Sequence, residues 1–467
     1  MIFRHNEYSH SRHGRRAWLW IIPILLSLPQ IFSCLPVLSA ADGEVSLPGM
    51  RPEIQMKDVL TMNQAIRIAL REQPRMAAQS SRLDIDKAAV KRSRSEMLPY
   101  IQAGGVGNLG PTVINGFNGL FAAAARGNFG FDANGRWTLW DFGANYHRLR
   151  ATKAEYRRSQ QDFQIERART ILNTKLAYLG VLAALELKRI AHQDLKNRQL
   201  IAQTAQHMFE TGLTSKLDWQ QAEVDLAQSR QGVQEANRQV ALAFNALNQA
   251  MGRDPDRQYK LAEEKLPELP AQSVSVLLEE GRSFRPCLIA EVKRIEAARE
   301  RVIAAKREYL PKIDAIGGAG YLDVSAILQG SDNRYLSGAI VAFTPLFTGG
   351  RLEADLAASK AGVREASANY KETEQRIARE IVDAFESFKA TYAKYQTSQE
   401  QARIAVSVLE YATERYKAQL TSYLEVSVAQ TLLTTARGNL ARNKFEFESI
   451  DALFKYAVGR DYLAYKF

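Results

Sequence analysis

The sequence predicts a mainly α-helical protein with a smaller β-sheet segment, built as a tandem repeat. Three observations carry this. Proline is absent from 112–254 and again from 346–467, and an interior proline costs a helix about 3 kcal/mol, so both runs read as very long helices. Glycine clusters in two places, ten of the 28 between 100 and 143 and seven between 312 and 350, which marks strands and turns. The landmarks Pro74 and Pro99 recur as Pro286 and Pro311, both 212 residues later. Beyond the glycine-rich segments the offset becomes 207, pairing Trp140-Asp141-Phe142-Gly143 with Phe347-Thr348-Gly349-Gly350, Leu213-Thr214-Ser215 with Leu420-Thr421-Ser422, and Gly252-Arg253-Asp254 with Gly459-Arg460-Asp461. A long unit is therefore duplicated in tandem.

The chain opens on an export-like leader. Arg12, Arg15 and Arg16 precede an apolar run, and Ser39-Ala40-Ala41 is small enough for cleavage, so 1–41 reads as a signal peptide. An uncleaved anchor is an alternative, against which Pro23, Pro29 and Pro36 count. A lipidated Cys34 is a third reading, with bulky Phe32 standing where such a site wants a small residue. The first repeat is expected over 42–252, a connector over 253–275 that contains Pro255, Pro267 and Pro270, and the second repeat over 276–467.

Each repeat reads as helix, glycine-rich hairpin, very long helix, tight turn, helix. The first helix is expected as one piece near 60–98. In the hairpin near 100–142, Phe129, Phe131, Ala133, Trp137 and Leu139 alternate with Asn128, Asp132, Asn134, Arg136 and Thr138. That is the pattern of a membrane strand with one face to lipid, and also of a half-buried soluble sheet. In the hairpin near 312–347, Tyr335, Ala339, Val341 and Phe343 fall on one face with small residues opposite. Two hairpins supply four strands, too few to close a barrel in lipid, so hairpins that enter a membrane require an oligomer.

From Gly143 to Gly212 the long helix would run about 100 Å at a rise of 1.5 Å per residue. Leu172, Leu176, Leu179, Ala183, Leu187 and Ile190 follow steps of three and four along it. The next helix repeats that spacing from Ala222 through Leu226, Ser229, Val233, Ala236, Val240, Phe244 and Leu247 to Met251. Ile377, Ile381, Phe385, Phe388, Tyr392 and Tyr395 do the same in the second repeat. Stripes this narrow bury against neighbouring helices, as in an extended or hollow coiled coil.

Composition narrows the function. The net charge is +11, and without 1–41 the chain keeps 58 basic and 50 acidic residues, net +8. These charges are interspersed along the helices without aromatic neighbours, so nucleic acid is not an expected partner. Of the two cysteines and six histidines, His147, His192, His207 and Cys287 have no ligand or catalytic spacing, and no glycine-rich phosphate loop is present. No disulfide framework, metal, cofactor or enzymatic activity is expected.

The chain resembles the TolC-type outer-membrane efflux factors. The resemblance rests on residues 60–70 with Pro74, Arg285-Pro286 followed by Ala297-Ala298-Arg299, Leu310-Pro311, residues 345–351 leading into the second long helix, and residues 210–218 at a helical tip. It covers nearly all of the chain after the leader and recurs in both halves. It implies a TolC-like fold, a long coiled-coil α-barrel with four transmembrane β-strands per protomer, and a homotrimer that builds one 12-stranded barrel in outer-membrane lipid. It further implies a passive exit duct of a tripartite efflux or type I secretion system, located in the outer membrane with a periplasmic tunnel. The implied partners are a periplasmic adaptor and an inner-membrane transporter of RND or ABC type.

By the same resemblance the channel constriction involves Glu425, Asp218 and Tyr416, and the adaptor-docking tips are Gly212, Leu213 and Thr214 with Leu420 and Thr421. Three departures qualify this. Gln419 replaces the usual glycine of the second tip, which predicts a turn of different shape and a larger docking role for the Gly212 turn. Val428 stands where a second constriction carboxylate is common, and Thr421 where some members carry arginine. A periplasmic adaptor shares the leader and a long helical hairpin but would have neither the repeat nor two glycine-rich hairpins. A coiled-coil structural protein of the envelope would be separated from a duct by membrane fractionation.

Overall fold

The computed structural model describes residues 59–107, 111–116, 121–126, 129–263, 265–268, 272–322 and 334–461. The leader over 1–41, with Cys34, and Asn128 of the alternating strand lie outside them. The first repeat runs α1 (Met62–Glu72), α2 (Pro74–Ser95), β1 (Tyr100–Gly107), β2 (Pro111–Gly116), β3 (Phe121–Arg126), β4 (Phe129–Trp140), α3 (Ala144–Glu210) and α4 (Lys216–Met251). The second runs α5 (Val274–Phe284), α6 (Pro286–Arg307), β5 (Lys312–Leu322), β6 (Arg334–Phe343), α7 (Arg351–Lys417) and α8 (Tyr423–Val458). The offsets hold to the residue: α5 and α6 lie 212 positions after α1 and α2, and α7 and α8 lie 207 after α3 and α4.

The single helix expected near 60–98 is two helices. Gln73 is extended (φ −66°, ψ 121°) because Pro74 disfavours a helical residue before it, and Pro74 then starts α2 where its missing N–H costs nothing. Arg285 and Pro286 break the second repeat in the same way. Thr61 caps α1 through a capping box with Gln64. At the start of α3, Phe142 and Gly143 are both left-handed, as are Gly349 and Gly350 before α7. The Asp141 carboxylate accepts the N–H groups of Gly143 (3.0 Å) and Asn145 (2.7 Å), turning the chain from strand into helix.

The main sheet is antiparallel, in the order β1-β4-β5-β6. The segment between β1 and β4, expected as a simple hairpin, contains a second ribbon, β2 paired with β3. Pairing of Asp132 with Gly320, Asn134 with Gly318 and Thr138 with Asp314 gathers the polar residues on one face. There the Arg136 Nε donates to Asp314 at 3.1 Å, and Asp314 is fully buried. The other face carries Ile101, Phe131 and Trp137. The reading of β6 needs correction: Tyr335, opposite Gly320, lies with Ala339, Val341 and Phe343 on the polar face. The face opposite is not merely small, for it presents Leu336 (88% exposed) and Ile340 (74%) beside Phe131 and Trp137. Apolar side chains on one face and ion pairs on the other suit lipid outside and water within.

The helices continue the order of the strands. Near the sheet, α2 packs on α3, α3 on α6 and α6 on α7; toward the opposite ends the order is α4, α3, α8, α7. All nine stripe residues from Ala222 to Met251 are buried. Along α3 the register is broader than expected: Leu172, Leu179 and Ile190 are buried, but Leu176, Ala183 and Leu187 are only half-buried, while Ile171, Thr174, Tyr178 and Val181 go in. The cause is that α3 packs along α1, α2, α4, α6 and α8, so more than one face is covered. The Tyr178 hydroxyl lies 2.8 Å from the Leu60 carbonyl and 2.7 Å from that of Ala262, tying the connector to the long helix. Buried Arg285 donates to Glu380 (2.7 Å) and to the Ala457 carbonyl (3.1 Å), and buried Lys175 pairs with Asp461 at 2.7 Å. Phe388, Phe447 and Phe454 fill the core beside Ile377 and Ile381.

Candidate functional site

The site is the end of the helical region farthest from the strands in each repeat, where α3 turns into α4 and α7 into α8. At the first turn Gly212 is left-handed (φ +75°); its N–H donates to Phe209 (2.9 Å) and that of Leu213 to Met208 (2.7 Å). At the second, Gln419 is left-handed (φ +61°), with its N–H on Tyr416 (2.9 Å) and that of Leu420 on Arg415 (2.9 Å). Both are Schellman motifs at positions offset by 207. The turn expected to differ in shape does not, since the paired hydrogen bonds hold glutamine in a conformation costing an ordinary residue roughly 1–2 kcal/mol. Gln419→Gly should therefore stabilise the second turn by up to about 1 kcal/mol, while β-branched Gly212→Val should destabilise the first by more than that. Thermal unfolding of the two variants checks the opposite signs.

Leu213, Leu217, Leu420 and Leu424 are exposed at the two ends, and Thr214 and Thr421 are half-buried. Ser215 caps α4, accepting from the Asp218 N–H at 3.1 Å, and Thr214 Oγ1 donates to the Asp218 carboxylate at 2.7 Å. Tyr416 is buried against Ala205, Met208, Ala222 and Tyr423. Burial, reinforced by the Asp218 charge, pushes its hydroxyl above the usual tyrosine range. The structure thus brings Tyr416, Thr214 and Asp218 together. Glu425 stands apart from them, exposed, with the Arg415 guanidinium 3.9 Å away.

Sequence reasoning missed the cluster just above. Arg198 of α3 reaches Asp194 (3.2 Å) and Asp225 of α4 (2.9 Å), all three mostly shielded from water. Asp225 also accepts from the Tyr423 hydroxyl at 2.7 Å and from Ser427. Asp194 accepts from Gln430 (2.7 Å) and Thr434 (2.5 Å), while Asn197 donates to Gln430 (3.2 Å) and Arg198 to Thr431 (3.1 Å). This joint pins α8 to α3 and α4. Burial and the bond to Asp225 push the Tyr423 hydroxyl well above its ordinary range. The signal available was the opposite charges of Asp194 and Arg198, four apart on one face of α3.

The family model for outer membrane efflux proteins matches residues 65–253 and 277–447, one match in each repeat. The chain belongs to the outer membrane efflux protein family. As a member it is an outer-membrane protein whose helical tunnel lies on the periplasmic side. The outer membrane protein OprJ of Pseudomonas aeruginosa is 27% identical over 60% of this chain and 59% of its own length. The fusaric acid resistance protein FusA of Burkholderia cepacia is 26% identical over 46% of this chain and 40% of its own. The chain thus aligns with about half the length of these relatives. A solved structure of the outer-membrane channel OprN shares the fold, with a TM-score of 0.73 and 20% identity over 85% of this chain and 89% of that one. The TolC-like architecture that the resemblance implies is the observed one.

Proposed function

We propose that this protein is the passive exit duct of a tripartite efflux or type I secretion system, working as a homotrimer. One observation carries the reading. The four-stranded sheet has one apolar face, ends in β1 and β6, each paired on one side among the described residues, and is continuous with two 67-residue helices. Sheet edges cannot be left open in lipid, so β1 of one copy would pair with β6 of the next and three copies would close a barrel. A periplasmic adaptor would dock on the exposed tips at Gly212-Leu213-Thr214 and Leu420-Thr421, and an inner-membrane transporter of RND or ABC type would supply energy. The leader over 1–41 would direct export, and the connector over 253–275 would sit at the tunnel's waist.

Glu425, Asp218 and Tyr416 would form the narrow end. Tyr416 and Asp218 would hold it closed, and three copies of Glu425 around one axis would lend it negative potential. The nearby Arg415 and the absence of a carboxylate at Val428 make that potential modest. Purified protein should show a trimer's mass in detergent and form cation-preferring channels in planar bilayers, with the preference reduced in Glu425→Gln. A monodisperse monomer that stays soluble without detergent would end the duct reading. Unchanged selectivity in Glu425→Gln would remove only the Glu425 assignment.

A further inference from the structure

A bulge at Leu139 sets Trp140 opposite Ile313, and so on the same apolar face of the sheet as Trp137. Trp140 is exposed, and Phe142 packs edge-on against it with ring centroids 6.0 Å apart. Aromatic rings at the end of a lipid-facing strand mark the border between hydrocarbon and headgroups. Three helices begin or end at this border: α3 starts there, and α2 and α6 finish there.

Packed between α2 and α6, the start of α3 keeps two open faces. On one, Arg148 pairs with Glu308 and Glu155 with Arg301, both across to α6, and Arg148 and Glu155 are half-buried. On the other, Tyr146, Arg150, Lys153 and Arg157 follow steps of four, three and four, and all are exposed. In a wall curved around a tunnel the convex side is the more open, so this second face is the outside. Arg157 reaches Glu296 of α6 at 3.5 Å, which puts the exposed residues Arg299 and Lys306, three and ten positions further along α6, on the outside as well. Their counterparts 212 positions earlier are Lys87 and Arg94 of α2, and exposed Lys91 shares that stripe.

Arg94 and Lys306 stand one residue from the ends of α2 and α6, and Lys91 about 6 Å below at 1.5 Å per residue. The headgroup layer is about 5–8 Å deep, so all three fall within it. Among the described residues none of the three makes an ion pair. Arg150, about 9 Å below the start of α3, pairs with Glu300 at 3.1 Å and lies 5.9 Å from the centre of the Tyr146 ring, which is nearer the border. Of the carboxylates at this depth, Asp141 caps α3 and Glu308 pairs on the inner face, leaving Glu96 and Glu353 exposed against four cations. Helix dipoles account for cations in the last turn, and Lys91 and Arg150 lie outside it. We infer that this basic collar seats the headgroups of anionic phospholipids of the periplasmic leaflet, with Trp137 and Trp140 among their acyl chains. The inference rests on the sheet lying in lipid, as the duct reading requires.

In exported protein without 1–41 and with Trp219→Phe, Trp137 and Trp140 are the remaining tryptophans. In phosphatidylcholine vesicles, a minor fraction of dibrominated phosphatidylglycerol should quench their fluorescence more than the same fraction of dibrominated phosphatidylcholine. The difference should correspond to about a fivefold preference for the anionic lipid at low salt, shrinking as salt is added. Lys91→Gln, Arg94→Gln and Lys306→Gln combined should bring the preference close to unity, while Arg301→Gln on the inner face should leave it unchanged. Equal quenching by the two lipids, or an undiminished preference in the triple variant, would overturn the collar and leave the duct standing. A preference abolished by inorganic phosphate at matched ionic strength would make this a site for free phosphate and overturn the lipid seat. Quenching by neither lipid would mean that the sheet does not lie in lipid, and the duct reading would fall with the collar.

Discussion

Arg198→Ala is expected to cost about 3–5 kcal/mol at the tip joint, because it leaves Asp194 and Asp225 largely shielded from water without their common counter-ion. The tie between α8 and α3 would then loosen, and single-channel conductance should rise while the trimer persists. Chemical unfolding followed through Trp219 fluorescence gives the stability, and planar bilayers give the conductance. The double variant Arg198→Ala with Asp225→Leu copies what the chain itself places at Ala405 and Leu432. It should regain part of the loss, since it removes one of the two carboxylates that Arg198→Ala strands, while Asp194 keeps only its bonds from Gln430 and Thr434. An Arg198→Ala protein that unfolds and conducts like wild type would mean that the joint is held by apolar packing alone.

The second large effect separates two glycines that the repeat makes equivalent. Gly252 (φ +74°) and Gly459 (φ +94°) both end a helix in the left-handed region. A Cβ at Gly252 would lie 2.6 Å from the Glu72 carbonyl oxygen and 2.8 Å from the Gln73 Cα, both backbone atoms at the break between α1 and α2. At Gly459 the nearest atoms are 3.6 Å away, in ordinary contact. Gly459→Ala should therefore cost only the conformational term of about 1 kcal/mol. Gly252→Ala should cost that plus an overpacking term of about 1–3 kcal/mol, and should displace the waist. Melting temperatures and the yield of membrane-inserted protein provide the comparison. Equal losses at the two positions would show that the waist yields freely.

Much of this protein was legible in one dimension because its elements are long and repeated. The absence of proline delimits α3, α4, α7 and α8, and the alternation from Phe129 to Leu139 marks β4. The stripe along α4 reads correctly because the helix presents only one face to its neighbours. The stripe along α3 misled because that helix is covered by five others, so the true burial combines several faces. The single helix expected before the first hairpin failed for a local reason, Pro74, which holds Gln73 extended and ends α1 at Glu72. The glutamine at the second tip misled in the opposite sense, since side-chain preference said little about a backbone held by two flanking hydrogen bonds.

The mainly helical class and the duplication with its two offsets were set by the order of residues alone, because periodicity and proline placement are properties of the chain itself; the ribbon of β2 and β3 was not. What the chain order could not convey is which side chains meet across separations of 198 to 286 positions. Only the tertiary structure brought Asp194, Arg198 and Asp225 to Tyr423 and Gln430, buried Lys175 against Asp461, and set Leu336 and Ile340 on the apolar face of the sheet. Those contacts depend on helix rotation and strand register, which are decided by the packing of all neighbours at once rather than by any local preference.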